Sequence, residues 1–291
     1  MATAFRLTPA ALLLLSGTLA AQAPLRVDVN LVLVPVTVTD RKGAVIHGLD
    51  QSRFQLFEEG VPQAIASFST EDLPASIGLV LDVSGSMRQK LGTAQSLVRA
   101  LFAGADERDE SFLLTCTDRP EPQTDLGRLQ TARAGGWTAL IDSVYQMVER
   151  MRPARHTRQA LIVVSDGIDN QSRYTKNELI ARAIESDAQI FAVGLREPPG
   201  PRKAIELVEE NRGLALLSDV ARLTGGQYFQ VDTADEVPGI AEKILLALHR
   251  QYVIGYYPTA TQGNRVRRIQ VKLDSPNLRS YGRSVYLAPA P

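Results

Sequence analysis

The sequence predicts an α/β fold: a doubly wound, mostly parallel sheet that is inserted in, or flanked by, a small antiparallel β-sandwich. From about residue 77 to 250, apolar runs alternate with helical patterns, which is typical of βα units around a parallel sheet. The stretches on either side, 26–70 and 251–287, show strand-like patterns instead. With 291 residues, of which 44% are hydrophobic and 22% charged, the chain can bury a core of this size.

Residues 1–23 are predicted to be a signal peptide. Arg6 supplies a positive charge, Ala10 to Leu15 together with Leu19 form an apolar stretch, and the small residues of TLAAQA suit cleavage. The apolar stretch is shorter than the roughly 20 residues that a membrane span needs, and no later segment reaches that length. The sequence therefore predicts an exported protein, periplasmic or secreted, with no membrane span in the mature chain. An uncleaved signal anchor is the alternative.

The two flanks, residues 24–73 and 251–291, are predicted to be the two parts of the sandwich. In RVDVNLVLVPVTVTD the apolar side lies on odd positions before Pro35 and on even positions around and after it, which predicts a β-bulge or a crossing between sheets there. Apolar and polar residues alternate again over 268–273. Neither flank alone has enough strands to close a core, so insertion of the middle unit into one sandwich is favoured over two unrelated β appendages.

The middle unit, residues 74–250, is predicted to contain five strands and five helices in alternation. Strands are predicted at 77–82, 111–116, 160–166, 189–195 and 227–231, and helices near 89–103, 139–151, 176–187, 214–224 and 235–250.

Charge and cysteine content narrow the function classes. The 32 basic and 32 acidic residues balance, so no global field favours nucleic acid or an anionic membrane. The basic clusters at 150–158 and 265–268 lack the interleaved aromatic residues that single-stranded nucleic acid favours. Cys116 is the only cysteine, so no intrachain disulfide can form, and its apolar surroundings predict a core residue.

Three polar side chains lie at and just after the end of the first predicted strand of the middle unit, in GLVLDVSGSM. Asp82 ends the strand, and ligands of an open parallel sheet bind beyond the carboxyl ends of its strands. Ser84 and Ser86 are two residues apart and can point into the same pocket. A carboxylate with two hydroxyls suits Mg²⁺ or Mn²⁺, whereas simple helix capping is the alternative.

Two further segments complete a recognisable pattern. Thr138 follows a glycine pair at the start of a predicted helix, and Asp166 ends the buried run LIVVSD. Together with the DVSGS loop, these residues resemble the metal-ion-dependent adhesion site of the von Willebrand factor type A (VWA) domain, over residues 74–250. The five matching residues are Asp82, Ser84, Ser86, Thr138 and Asp166.

The resemblance implies a Rossmann-like fold and a site for Mg²⁺ or Mn²⁺ that leaves one coordination position open. In this family the hydroxyls commonly bind the ion directly, while one or both Asp act partly through water. The open position implies a partner protein that supplies an Asp or Glu carboxylate. The flanks, including VTVTDRKGAVIHGLD and QYVIGYYP, look like those of exported bacterial VWA-related proteins.

Two residues beside the motif are expected to contact this protein ligand. Trp137 lies between Gly136 and Thr138, and Met87 directly follows Ser86. For Trp137 the alternative is packing against a neighbouring loop. The expected function is therefore an exported, metal-dependent protein-binding module for adhesion or scaffolding.

Two other functions stay open. A bound metal could activate water in a hydrolase, but no histidine is placed as a base beside the motif, since His47, His156 and His249 fall elsewhere. Strings typical of nucleotide-binding loops, zinc proteases or serine hydrolases do not occur, so an enzyme is not expected. The second alternative is a structural envelope subunit whose metal site is vestigial.

Overall fold

The computed structural model describes residues 31–196, 204–259 and 265–288. The described part of the chain begins with four strands that belong to two different sheets. These are β1 (Val32–Asp40), β2 (Phe54–Glu58), β3 (Val61–Gln63) and β4 (Ile65–Ser69).

A six-stranded sheet follows. Its strands are β5 (Ala75–Asp82), β6 (Glu110–Cys116), β7 (Pro120–Gln123), β8 (Arg158–Ser165), β9 (Gln189–Leu195) and β10 (Tyr228–Val231). Their order in the sheet is β10-β9-β8-β5-β6-β7. All its neighbouring strands run parallel except β7, which is antiparallel to β6 at the edge. The central strand β5 is buried along its whole length.

Helices cover both faces of this sheet, as a doubly wound fold requires. The helices are α1 (Leu91–Ala103), α2 (Leu126–Thr131), α3 (Leu140–Met151), α4 (Lys176–Glu185), α5 (Ala204–Thr224) and α6 (Val237–His249). Along β5, Leu79 and Leu81 pack with α1, α2 and α6, whereas Val80 packs with α3, α4 and α5. Alternate residues of one strand therefore enter two separate cores.

The chain ends in four more strands, β11 (Tyr252–Tyr256), β12 (Val266–Leu273), β13 (Leu278–Gly282) and β14 (Val285–Leu287). They combine with the first four strands into two antiparallel sheets, in the orders β13-β1-β11-β4 and β14-β12-β2-β3. Both sheets thus contain strands from both ends of the chain. A shared core lies between them, built around Val34, Val36, Phe54, Tyr252 and Ile269.

The predicted fold class is confirmed: an α/β unit with a mostly parallel sheet, accompanied by an antiparallel sandwich. All five predicted strands, and four of the five predicted helices, lie within two residues of the observed ends. The remaining helix, predicted at 214–224, is α5, which begins at Ala204. A charged run and Gly213 interrupt the helical pattern in its first half, so the sequence did not indicate this start. β7 and α2 were not predicted.

The prediction at Pro35 is wrong. β1 is continuous, and its even residues face the core from Val32 to Val38 without a shift in register. Leu33, on the odd side, is exposed. Pro35 pairs with Val253 of β11, and the ladder with β13 begins only at the next residue. Proline is tolerated here because it lies outside that second ladder.

Two expectations about the organisation of the chain are untested. The signal peptide lies outside the described residues, and the division of the chain at residues 73 and 250 stays a prediction. Among the helices that the structure describes, none has both the length and the apolar character needed to cross a bilayer.

Candidate functional site

Three loops meet at the edge of the six-stranded sheet where its parallel strands end. The first loop follows β5 and begins at Asp82; the second precedes α3 and contains Thr138; the third follows β8 and begins at Asp166. Asp82, Thr138 and Asp166 are all buried.

The first loop is folded around its own carboxylate. The Ser84 N–H donates to Oδ1 of Asp82 at 2.9 Å. A 3-10 turn over Gly85–Met87 follows, and the hydroxyl oxygens of Ser84 and Ser86 lie 3.1 Å apart. Three of the predicted ligands therefore come together within one short turn.

The second loop is tied to the first through the backbone. The Gly85 N–H donates to the carbonyl of Gly136 at 3.0 Å, and the Gly135 N–H donates to the carbonyl of Val83 at 2.9 Å. Because Gly136 has a φ of +76°, a conformation that favours glycine, the loop can turn back toward the first loop at this point. These bonds bring Thr138 to the edge that carries Asp82.

The third loop is tied to the second around Thr138. The Thr138 N–H donates to Oδ1 of Asn170 at 2.9 Å, and its carbonyl accepts from the N–H groups of Asn170 and Gln171. Asp169 adds a further link, since its carboxylate accepts from the N–H of Leu140 at the start of α3. The structure thus brings together the three loops that carry the five residues that the resemblance singled out.

Asp82 and Asp166 influence each other electrostatically. Burial, and next the charge of Asp166, raise the pKa of Asp82 to about 7, although hydrogen bonds from Ser165 and Ser84 act in the opposite direction. The Ser165 hydroxyl donates to Oδ2 of Asp82 at 2.6 Å. A nearby cation would relieve this unfavourable burial of two carboxylates.

Lys90 supplies one positive charge at this site. Its Nζ lies 2.6 Å from Oδ2 of Asp166, and the two side chains are 7% and 0% exposed. The other oxygen of Asp166 accepts from the Ile168 N–H at 3.1 Å. Lys90 belongs to the end of the first loop, so this ion pair joins the first loop to the third.

The two expected ligand contacts have different environments. Trp137 is 64% exposed beside Thr138, where a partner could reach it. The expectation for Met87 is wrong: its side chain has no exposed surface and packs in the core between the sheet and α1. The 3-10 turn that presents Ser86 outward directs the next side chain inward.

The donor set suits a hard divalent cation. Two carboxylates and three hydroxyls are oxygen ligands, which Mg²⁺ and Mn²⁺ prefer. In the part of the chain that the structure describes, no group of three or more His, Cys, Asp or Glu side chains could hold a metal. A metal at this edge would therefore depend on hydroxyl ligands as well as on Asp82 and Asp166.

Neither the thiol of Cys116 nor the imidazoles of His156 and His249 are exposed beside the three loops. Cys116 is buried at the end of β6, and burial followed by the charge of Asp82 raises the pKa of its thiol well above the usual range. It is a core residue, as predicted. His156 precedes β8 and His249 ends α6, both at the opposite edge of the sheet from Asp82.

The sequence reasoning missed Lys90, Ser165 and Asn170. Ser165 could have been found as the polar residue that directly precedes Asp166 at the end of a buried run. In the structure it follows Val164, which pairs with Leu81, and its hydroxyl reaches Asp82. Lys90 gave no signal, because it follows Arg88 and Gln89 in a stretch that resembles a solvated helix start.

Comparisons with known proteins bear on the fold. No model of a protein family matches the chain, and neither does any of the curated proteins. Among solved structures, an aerotolerance-related membrane protein from Bacteroides fragilis NCTC 9343 is 17% identical, with a TM-score of 0.44 over 59% of this chain and 98% of that one. The conserved hypothetical protein BatB from Bacteroides thetaiotaomicron is 19% identical, with a TM-score of 0.46 over 60% of this chain and 98% of that one.

A third solved structure covers more of the chain. A von Willebrand factor type A protein from Catenulispora acidiphila is 12% identical, with a TM-score of 0.51 over 88% of this chain and 73% of that one. This likeness shows that the chain described here has the fold of a von Willebrand factor type A domain.

Proposed function

We propose that this protein is an exported, metal-dependent protein-binding module for adhesion or scaffolding. In this proposal Mg²⁺ or Mn²⁺ binds at the carboxyl edge of the sheet and takes up a carboxylate from a partner's Asp or Glu. The proposed ligands are Asp82, Ser84, Ser86, Thr138 and Asp166.

The observation that carries the proposal is the way the three loops are fastened to one another around buried oxygen ligands. Hydrogen bonds join the first loop to the second and the second to the third, so the loops that carry the proposed ligands are held in place before a metal arrives. Such preorganisation lowers the cost of ordering the site on binding. Neutral hydroxyls leave much of the metal's charge uncompensated, which favours an anionic partner group.

Export to the periplasm or the medium is part of the proposal and depends on the predicted signal at residues 1–23. We also propose that the protein is not an enzyme. In support, the one thiol is buried at the end of β6, and His156 and His249 lie at the opposite edge of the sheet.

A second candidate function is favoured by the Lys90 ion pair. An ammonium group 2.6 Å from Asp166 could stand in for a metal ion and leave a structural subunit with a vestigial site. The two candidates differ in one property, because only the first requires the protein to bind a divalent cation.

The partner can be sought directly from the cells that produce the protein. The full chain, immobilised in buffer with Mg²⁺, is exposed to envelope and medium fractions, and the experiment is repeated with a chelator. We expect partners that are lost on chelation and are absent with Asp82→Ala. Asp118→Ala, an exposed carboxylate on the neighbouring loop, is the matched control and should retain them. Partners retained in chelator, or by Asp82→Ala, would contradict the proposed function.

A further inference from the structure

Lys90 is the one buried cation in direct contact with a proposed metal ligand among the residues that the structure describes. Its ammonium lies 2.6 Å from Asp166 Oδ2, and neither side chain is appreciably exposed. A buried ion pair contributes little net stability compared with apolar residues of similar size. The pair therefore calls for an explanation beyond stability.

The position of Lys90 is fixed by the same turn that carries the hydroxyl ligands. Its N–H donates to the carbonyl of Met87 at 2.9 Å, and its own carbonyl accepts from the Ala94 N–H at the start of α1. The side chain reaches from there to the third loop. Lys90 is therefore a fixed, buried part of the first loop and not a flexible surface lysine.

The charged groups at the site determine how strongly it attracts a cation or an anion. Asp82 and Asp166 contribute two negative charges when ionised, and Lys90 contributes one positive charge. With or without a bound metal, the Lys90 ammonium makes the site one unit more positive than a neutral side chain at this position would. At these short distances one charge changes the affinity for another charge substantially.

We propose that Lys90 makes the metal-loaded site one unit more positive and thereby favours an anionic partner group, at the cost of weaker metal binding. This inference rests on the proposed function, since it assumes that a divalent cation binds. Lys90 is a positioning and charge-setting residue: it lies against a ligand and is not itself a ligand. If Lys90 only held the first and third loops together, its presence would strengthen metal binding. The electrostatic role proposed here instead weakens metal binding.

The test uses Mn²⁺ as the metal probe and sodium acetate as the carboxylate probe on the full chain. Free Mn²⁺, measured by electron paramagnetic resonance, gives the metal affinity. Water-proton relaxation then follows the displacement of water from bound Mn²⁺ by acetate. The variants are Lys90→Met, which removes the charge, and Lys90→Arg, which keeps it. The control is Lys176→Met, in an exposed pair with Asp219.

We expect Lys90→Met to bind Mn²⁺ about tenfold more tightly than wild type and to require about tenfold more acetate. Lys90→Arg and Lys176→Met should resemble wild type in both measurements. If Lys90→Met does not fold, Lys90→Gln replaces it, because the amide can still donate to Asp166. Neutral variants that bind Mn²⁺ no more tightly than wild type, or that bind acetate equally well, would overturn the inference.

The same experiment separates this inference from the proposed function. If wild type binds no Mn²⁺, the proposed function fails and the role of Lys90 fails with it. If wild type binds Mn²⁺ and acetate but the neutral variants behave as wild type, the proposed function stands and only the inference fails.

Discussion

Gly213, in the middle of α5, packs directly against Gly167 in the loop that follows β8. A Cβ on Gly167 would lie 2.6 Å from the backbone of Gly213, and a Cβ on Gly213 would overlap the carbonyl oxygen of Gly167. Gly167 also has a φ of +84° and directly follows Asp166. The backbone of α5 therefore supports the loop that carries the last proposed ligand.

We expect Gly213→Ala to lower both stability and metal affinity. In an unconstrained helix interior, alanine in place of glycine would raise the free energy of unfolding by up to about 1 kcal/mol. Here the added methyl group must displace the third loop, and overpacking of this kind costs about 1–3 kcal/mol. Thermal unfolding and Mg²⁺ titration of the variant measure the two effects.

The matched control is Gly239→Ala in α6, where a Cβ would meet no atom within 4 Å. This variant should be as stable as wild type or slightly more stable, with unchanged Mg²⁺ affinity. If the two alanine variants behave alike, the close approach of α5 does not support the site.

The sandwich contains a buried ion pair whose loss should be costly. Arg267 Nη1 lies 2.7 Å from Glu58 Oε1, with side chains 10% and 2% exposed, and the Tyr286 hydroxyl donates to the same oxygen. Arg267→Met leaves the Glu58 carboxylate buried without this partner, which should lower the free energy of unfolding by about 3 kcal/mol or more. The neighbouring exposed pair of Arg268 with Glu59 is the control, and Arg268→Met should leave chemical unfolding unchanged. Equal effects of the two substitutions would contradict the burial argument.

Removal of the C-terminal strands should expose the N-terminal ones. β1 pairs with β11 and β13, and β2 pairs with β12, so a chain that ends at residue 250 loses every one of these partners. Limited proteolysis of that truncated chain should cleave residues 31–70 rapidly while the α/β unit resists. An N-terminal flank that stays protected would show that it folds without the C-terminal strands.

Much of the α/β unit could be predicted because its strands are continuous apolar runs that end in Asp82, Cys116 and Ser165. β7 could not, because two of its four residues are proline, and it exists only as an edge strand paired with β6. α2 is only six residues long and contains a glycine, so it gives little periodic signal.

The proposed ligands could be picked out from the sequence, but the residues that support them could not. The spacing of Asp82, Ser84 and Ser86 is local, and a strand end places it at the sheet edge. The contact of Lys90 with Asp166 joins residues 76 positions apart and depends on side-chain reach, which no local pattern encodes. Met87 was misassigned because sequence alone did not show which way the 3-10 turn directs each side chain.

Trp137 offers a test of partner contact that spares the metal. Its side chain is largely exposed, so Trp137→Ala should leave stability and Mg²⁺ affinity unchanged. Exposed aromatic residues often dominate binding, and we expect at least about tenfold weaker binding of any partner found by the chelation experiment. Leu73→Ala, an exposed apolar residue just before β5, is the control and should bind normally. If Trp137→Ala binds the partner with wild-type affinity, Trp137 is not part of the binding surface.

The central claim is that a divalent cation binds among the three loops, and titration calorimetry of the full chain with Mg²⁺ tests it most directly. Wild type and Asp118→Ala should bind one equivalent, whereas Asp82→Ala and Asp166→Ala should show no binding or greatly weakened binding while circular dichroism shows that they remain folded. Wild type without measurable binding, or folded Asp82→Ala and Asp166→Ala variants with wild-type affinity, would contradict the account.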